Sequence, residues 1–421
     1  METGQWFTFF RNIAFFFATI MLAKYTIYLL IAPFYPLQEI VRRIRTTKKF
    51  GHRSDYAPII SVIIPARNEE VGVLNTVRSI LSNTYKRIEI VIVNDGSTDK
   101  SDEKIIHFIQ RLSIIDSVSA RKVNYFYKEN EGKGHALNYG ISHATGEIVL
   151  TVDADSILDT HALFNLKEYF KDKEVSAVVG RVSIAGNDTI IGFLQQLEYL
   201  FGFYFKRAHS VMGAEYILGG ACAAFRRNIF DTIGFFDTEN KTEDIEMSLR
   251  LKAYGLHVAY AEDVICYTEG ASTLMGLMNQ RLRWKKGRLS TFAKYRRLFF
   301  SRKRHHNKML SFFVLPLSAL SEVQLFFEPV SIALLVSYSI ISGDYLTLAL
   351  GALFVAIIYF VNTFFAHGGV NPKLLVLFPF TWPLFYILVI IEYLSLIHSL
   401  KLIIAGDDIR WQSWERKGIA I

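Results

Sequence analysis

Apolar residues crowd the two ends of this 421-residue chain and leave an ordinary soluble pattern between them. Residues 13–33 carry one charge, Lys24. About 20 such residues span a hydrocarbon core of roughly 30 Å. The stretch is too long and too aromatic for a signal-peptide core, and no small-residue cleavage site follows it. Arg42, Arg43, Arg45, Lys48, Lys49 and Arg53 come directly after. The positive-inside rule puts that flank in the cytosol and the short N-terminus outside. At the far end, residues 323–341 are apolar except Glu328, and residues 345–366 carry no charge. Residues 373–404 form a long apolar stretch interrupted by Pro379, Pro383, Glu392 and His398.

One entry span and three exit spans would leave the basic tail (Lys401, Arg410, Arg416, Lys417) outside, against the same rule. Two arrangements resolve the conflict. Either residues 373–404 re-enter or break at their prolines, or residues 309–322 add a membrane-embedded piece. The expected plan is an anchor with its basic flank (1–56), a soluble domain (57–271), basic interface helices (272–322), a membrane bundle (323–404) and a tail (405–421).

Composition narrows the class further. Hydrophobic residues make up 51% and charged residues 20%, against about 45–50% and 25% in soluble domains. That excludes a disordered chain or a collagen-like repeat. Cys222 and Cys266 cannot build a disulfide framework.

The middle alternates β-branched runs with helical stretches. Residues 59–65, 88–93, 122–127 and 147–152 read as strands, with helices at 69–81, from about 98, and at 134–144. This order predicts βαβ units and a mostly parallel sheet. Ligands in such sheets bind beyond the carboxyl ends of the strands. Four polar clusters stand there: Ala66–Glu70, Asn94–Asp99, Lys128–Asn138 and Asp153–Asp155. None is a dinucleotide fingerprint or a P-loop.

Asp153 and Asp155 flank Ala154. At positions i and i+2 of extended backbone their carboxylates point the same way. They make a hard oxygen site for Mg²⁺ or Mn²⁺, which can hold a diphosphate. A bare Asp-x-Asp is common, and the bland reading is a solvated acidic loop. Asp95 sits in Asp-Gly, itself a turn signal, and could also read a nucleoside. Thr242, Glu243 and Asp244 fit a helix cap with acids in its first turn. The functional reading makes Asp244 or Glu243 a general base. Gln280-Arg281-Leu282-Arg283-Trp284 opens a run of 12 Lys/Arg ending at Lys308. A membrane flank explains most of residues 296–308 but neither Gln280 nor Trp284. Arg suits a bidentate diphosphate contact, and Trp offers a face for a sugar ring. Nucleic acid is disfavoured as a partner, because the cluster abuts an apolar span and few aromatics interleave with it.

In this order the residues resemble the membrane-embedded glycosyltransferase family 2 enzymes, which include poly-N-acetylglucosamine, cellulose, chitin and hyaluronan synthases. Six elements carry the resemblance: P-x-x-N-E at Pro65–Glu69, DGS at Asp95, GKGHALN at Gly132–Asn138, DAD, TED and Q-x-x-R-W. FLQQLEYL at Phe193–Leu200, GG-x-x-x-x-F at Gly219–Phe225, and the Trp-rich tail at 411–418 look most like the poly-N-acetylglucosamine branch.

The resemblance implies a GT-A fold and inverting transfer from a nucleotide sugar, UDP-N-acetylglucosamine above others, to a growing polysaccharide. It implies Asp153 and Asp155 as ligands of Mg²⁺ or Mn²⁺, and Asp244 as base. Glu69, Asp95, Lys133, Asp153, Glu243, Gln280, Arg281, Arg283 and Trp284 would bind substrate. The C-terminal spans would form a channel through the plasma membrane, with the catalytic domain cytosolic. Lipid and a small membrane accessory subunit are the further partners it implies. Lipid-linked glucosyltransferases carry similar elements, so a glycolipid product stays open. A non-catalytic sensor that kept the fold would be expected to lose Asp155, Asp244 or the Gln280–Trp284 element, and all are present.

Overall fold

The computed structural model describes residues 3–50, 56–185, 189–240, 242–364, 381–407 and 418–419. Helix α1 (Thr3–Ile31) runs through one tight turn into α2 (Tyr35–Phe50). Then come β1 (Ile60–Ala66), α3 (Val73–Leu81), β2 (Ile88–Asp95), α4 (Ser101–Ile115), α5 (Ser117–Ala120), β3 (Val123–Lys128) and α6 (Lys133–His143). They are followed by β4 (Ile148–Thr151), β5 (Ser156–Leu158), α7 (Ala162–Phe170), β6 (Val175–Ala185) and α8 (Ile190–Val211). The domain closes with β7 (Ala223–Arg226), α9 (Ile229–Ile233), α10 (Glu243–Ala253) and β8 (His257–Glu269). After it stand α11 (Leu274–Lys294), α12 (Leu315–Ser342), α13 (Tyr345–Phe364) and α14 (Thr381–Ala405).

The strands form one sheet ordered β3-β2-β1-β4-β7-β6-β8-β5. The first four are parallel, as the alternating pattern predicts. The second half departs from it, because β4–β7, β6–β7 and β5–β8 are antiparallel. Strands β5 and β7 hold only three and four residues, too few to show a period in sequence. Both faces of the sheet are buried. Ile60, Val62 and Ile64 face the core under α3 and α7, while Ile63, Val91 and Val93 face the one under α6 and α10. Continuous apolar strands are what such a sheet requires. Cys222 and Cys266 are buried free thiols.

Among the described residues, three helical stretches are long and apolar enough to cross a membrane: Phe15–Lys49, Leu310–Ser342 and Leu384–Ala405. Leu348–Ile358, within α13, is a shorter apolar helix. Residues 310–322 join the candidate span Leu310–Ser342. A π-helical turn (Leu310–Val314) runs straight into α12. Pro383 lies in α14, two residues after its described start. Pro379 and residues 411–417 lie outside the described residues.

The basic flank docks rather than floats. Arg42 bonds Glu39 at 2.8 Å and stacks 3.8 Å from the Tyr169 ring centre. The Tyr35 hydroxyl donates to the Tyr260 carbonyl at 3.0 Å. Helix α1 packs on α8 and α12.

Candidate active site

The carboxyl ends of β1, β2 and β4 open into one cavity of about 1600 Å³. Glu69, Asp95, Lys133, Asp153, Asp155, Glu243, Asp244, Gln280, Arg283 and Trp284 all line it. Arg281 does not. It is 1% exposed and lies behind the wall, its guanidinium 4.3 Å from the Trp284 ring centre.

Local bonds explain how each loop is held. The Asn68 carboxamide oxygen accepts the Thr98 N–H at 2.7 Å, and the Glu69 N–H donates to Ser101 Oγ at 2.9 Å. These two bonds tie the loop after β1 to the loop after β2. Asp95 is buried, and both its oxygens accept bonds. Oδ1 takes Lys128 Nζ at 2.9 Å and the Glu131 N–H at 3.1 Å, and Oδ2 takes the Gly132 N–H at 2.8 Å. The carboxylate thereby shapes the turn that opens α6. The Asp153–Asp155 loop is pinned from below, because Thr76 Oγ1 donates to the Ala154 carbonyl at 2.9 Å. Gly72 passes close beneath, where an added Cβ would meet that same oxygen at 2.9 Å.

Three motifs converge at Gly220. An ideal Cβ placed there would lie 3.0 Å from Lys133 Nζ, 3.4 Å from Asp244 Oδ2 and 3.9 Å from Asp153 Oδ2. Lys133 Nζ bonds Asp153 Oδ1 at 2.6 Å and approaches Glu243 Oε1 at 3.6 Å. Burial alone would lower the Lys133 ammonium, but Asp153 and then Glu243 outweigh it and hold it well above the ordinary lysine value. Burial pushes the Glu243 carboxyl up, against the pull of Lys133 and with the help of Asp244. Asp244 Oδ1 accepts the Ile245 N–H at 2.8 Å.

Thr242 stands at the cap position without capping through its side chain. Its hydroxyl donates instead to Asn240 Oδ1 at 3.1 Å, which removes it from the helix N–H groups. The expected cap is therefore positional only.

Asp155 Oδ1 accepts from Ser156 Oγ at 3.1 Å and Thr268 Oγ1 at 3.2 Å. Two adjacent carboxylates fit a hard divalent cation. Among the described residues no group of three or more His, Cys, Asp or Glu gathers to enclose a metal. A cation here would complete its shell from a diphosphate and water, as Mg²⁺ commonly does.

The family model for glycosyl transferase family 2 matches residues 61–234. That for glycosyl transferase family group 2 matches residues 148–397, more than half the chain. The chain belongs to glycosyl transferase family 2. Poly-beta-1,6-N-acetyl-D-glucosamine synthase of Staphylococcus epidermidis is 34% identical over 236 residues, 54% of each chain. The synthase of the same name from Staphylococcus aureus strain COL is 33% identical over 257 residues, 60% of each. The chain thus matches little more than half the length of these curated relatives. Among solved structures, a mannosyltransferase from Pyrobaculum calidifontis in complex with GDP-Man and Mn²⁺ is similar at a TM-score of 0.56. It is 20% identical and covers 88% of this chain and 98% of its own. The shared fold is the GT-A, Rossmann-like architecture that the sequence motifs imply. This glycosyltransferase is a membrane protein by its apolar helices.

The glycosyltransferase cavity also has walls that motif reading did not supply. It extends beyond Trp284 to Lys24 and Tyr28 of α1, Glu198, Lys206 and His209 of α8, Glu215 before β7, Glu322 of α12 and His398 of α14. Tyr28 Oη, His209 Nε2 and Glu215 Oε2 are buried there without a hydrogen-bond partner among the described residues. Of the charged residues that interrupt the C-terminal apolar stretches, Glu328 accepts from Gln324 on its own helix at 2.9 Å, while Glu392 bonds Lys285 across helices at 2.8 Å.

Proposed function

We propose that this chain is an inverting, metal-dependent transferase. It moves N-acetylglucosamine from a UDP-linked donor to the end of a growing polysaccharide and feeds the product into its membrane helices. The observation that carries the reading is the convergence at Gly220. There an ammonium, the carboxylate of Asp153 and the carboxylate of Asp244 meet within 4 Å of one point, in a cavity running from Asp95 to membrane-length helices.

Each residue then has a task. Glu69 and Asp95 bound the donor end, with Asp95 holding the turn over which the nucleoside lies. Asp155 and Asp153 would hold Mg²⁺ or Mn²⁺, which neutralises the diphosphate as its bond to the sugar breaks. Lys133 balances the three neighbouring carboxylates. Gln280 and Arg283 face the departing diphosphate, where a guanidinium offers paired donors. The acceptor stacks on Trp284. Asp244 Oδ2 takes the proton from the acceptor hydroxyl as that oxygen attacks the anomeric carbon. Attack comes opposite the leaving diphosphate, so configuration inverts in one displacement without a covalent enzyme intermediate.

The sugar assignment is supported by the name of the staphylococcal relatives. A divalent ion is supported by the carboxylate pair and by the Mn²⁺ of the structural neighbour. The unpartnered atoms of Tyr28, His209 and Glu215, set among Tyr25, Phe201 and Phe205, suit a chain rich in hydroxyls leaving the site. The basic flank supports a catalytic domain on the cytosolic side of the plasma membrane, the side on which UDP-sugars are made.

Membranes carrying the protein, incubated with a panel of labelled UDP- and GDP-sugars, test this. Label from UDP-N-acetylglucosamine in long polymer is expected. Label confined to extractable lipid bearing one or two sugars would favour a glycolipid product, and use of a GDP-sugar alone would overturn the donor assignment.

A further inference from the structure

Two cations of the basic stretch opening at Arg281, Arg281 itself and Lys285, are buried in α11. Arg281, Lys285 and Arg288 stand at i, i+4 and i+7, one stripe of the helix. Arg281 is 1% exposed and Lys285 6%. Three carboxylates from three other helices face the stripe: Glu198 of α8, Glu392 of α14 and Glu322 of α12. The six charges alternate in a single line. Glu198 bonds Arg281 at 2.5 Å, Arg281 meets Glu392 at 3.4 Å, and Glu392 bonds Lys285 at 2.8 Å. Lys285 bonds Glu322 at 2.7 Å, and Glu322 bonds Arg288 at 2.8 Å. Three cations against three carboxylates leave no net charge.

As glue, this arrangement is inefficient. Arg281, Lys285 and Glu322, the buried members, each forfeit much of their hydration, and apolar side chains of the same volume commonly hold a fold as well or better. What alternating charges supply is register. A slip of α11 by one turn against α12 or α14 would leave a cation at one end of the line and a carboxylate at the other without a partner, a costly state for a buried charge. The adjoining face of α11 carries Gln280, Arg283 and Trp284 into the cavity, and Arg281 itself lies against the Trp284 ring. Two serines of α14 reach the same helix, Ser395 Oγ to the Met278 carbonyl at 3.5 Å and Ser399 Oγ to the Leu282 carbonyl at 3.2 Å. On its other side α11 presses on Thr242, which precedes Glu243 and Asp244.

We infer that Glu322 and Glu392, on two helices long enough to cross a membrane, are positioning residues that set, through Lys285 and Arg281, where α11 holds Trp284 and Arg283. The inference rests on the reading of Trp284 as the acceptor platform. It assigns the membrane helices a part in building the acceptor end of the site, in addition to anchoring it.

The test is made on the full chain in lipid nanodiscs. The key variant is the double replacement Lys285→Met with Glu392→Met. It removes one cation and one carboxylate, while Arg281 keeps Glu198 and Arg288 keeps Glu322. Glu392→Gln is made beside it. Three readouts are taken: the melting temperature, UDP binding, and kcat and KM for donor and acceptor separately. A fourth is independent of turnover. Cysteines at Met278 and Ser395 report the α11–α14 register by their disulfide yield under mild oxidation.

The expected result for the double variant is a melting temperature and UDP affinity near those of the parent. Acceptor KM should rise, or kcat fall, at least tenfold, with a reduced disulfide yield. A double variant of normal melting temperature whose acceptor kinetics and disulfide yield both match the parent overturns the inference, because the network is then packing alone. If the double variant fails to accumulate, Glu392→Gln decides on the same readouts. If the parent neither binds UDP nor turns over a UDP-sugar, the proposed function fails. The disulfide yield then decides the positioning claim separately, an unchanged yield overturning it.

Discussion

Lys133 Nζ lies 2.6 Å from Asp153 Oδ1, so an ammonium already occupies one oxygen of the carboxylate pair expected to hold a metal. A divalent ion entering there competes with that ammonium for Asp153. Lys133→Met should therefore tighten Mn²⁺ binding, by about tenfold or more, while turnover falls because Glu243 and Asp244 lose their counter-charge. Calorimetric titration of Mn²⁺ into parent and variant measures this. Weaker Mn²⁺ binding in the variant would mean that Lys133 supports the metal site rather than competing with it. Chelation by EDTA and Asp155→Asn should each stop transfer in the parent background, and full turnover in excess EDTA would remove the metal from the account.

Asp244 is assigned the acceptor proton on geometry, since its Oδ2 faces the point where Lys133 and Asp153 meet. Asp244→Asn should lower kcat by about 100- to 10,000-fold, the usual worth of a general base, with UDP affinity within about twofold of the parent. Glu243→Gln should act differently, because Glu243 is buried behind Lys133 and helps hold that ammonium. It should weaken donor binding first. Rates and UDP titrations on both variants separate the roles, and equal kcat losses with unchanged binding in both would erase the distinction.

Gly287 allows α11 its close approach to the start of α10. A Cβ at that position would lie 1.9 Å from Thr242 Oγ1. A mid-helix glycine costs about 1 kcal/mol relative to alanine, so an exposed site would gain from Gly287→Ala. Here the methyl group must push two helices apart. We expect a net loss of about 1–3 kcal/mol and a fall in turnover. A raised melting temperature with full activity would show that the contact is loose.

His209 gives the fold a pH dependence of definite sign. Burial pushes its imidazole down to about 4, whereas the unfolded chain titrates near 6.5. Above about 6.5 both states are neutral and the group is silent. As pH falls toward 4 the unfolded state binds a proton that the folded state refuses, so stability drops across that window. Melting temperatures from pH 7.5 to 5 should decline in the parent and decline less steeply in His209→Gln. Identical slopes would assign the acid sensitivity elsewhere.

Much of the site was legible because its residues sit in short local patterns at strand ends. Asp153–Asp155, Thr242–Asp244 and Gln280–Trp284 could each be read without knowing a partner, and the sheet brings them to one cavity. Arg281 could not be placed this way. Its stripe with Lys285 and Arg288 is visible in the sequence, but whether a cationic stripe faces water or carboxylates depends on Glu198, Glu322 and Glu392, which come from three separate helices. Thr242 failed as a side-chain cap for a similar reason, because Asn240 takes its hydroxyl. The antiparallel half of the sheet was hidden by strands of three and four residues. Tyr28, His209 and Glu215 carry no motif at all, and only the packing of α1 against α8 draws attention to them.

On the proposed function, one chain both makes and exports a saccharide. The most direct measurement reconstitutes the purified protein in sealed vesicles, active site outward, with labelled UDP-N-acetylglucosamine and Mg²⁺ outside. Labelled polymer of many sugar units is expected inside the vesicles, protected from added glycosidase until detergent opens them. Polymer that stays outside and is fully digested would contradict translocation. Label found only as one or two sugars on extracted lipid would contradict the synthase itself.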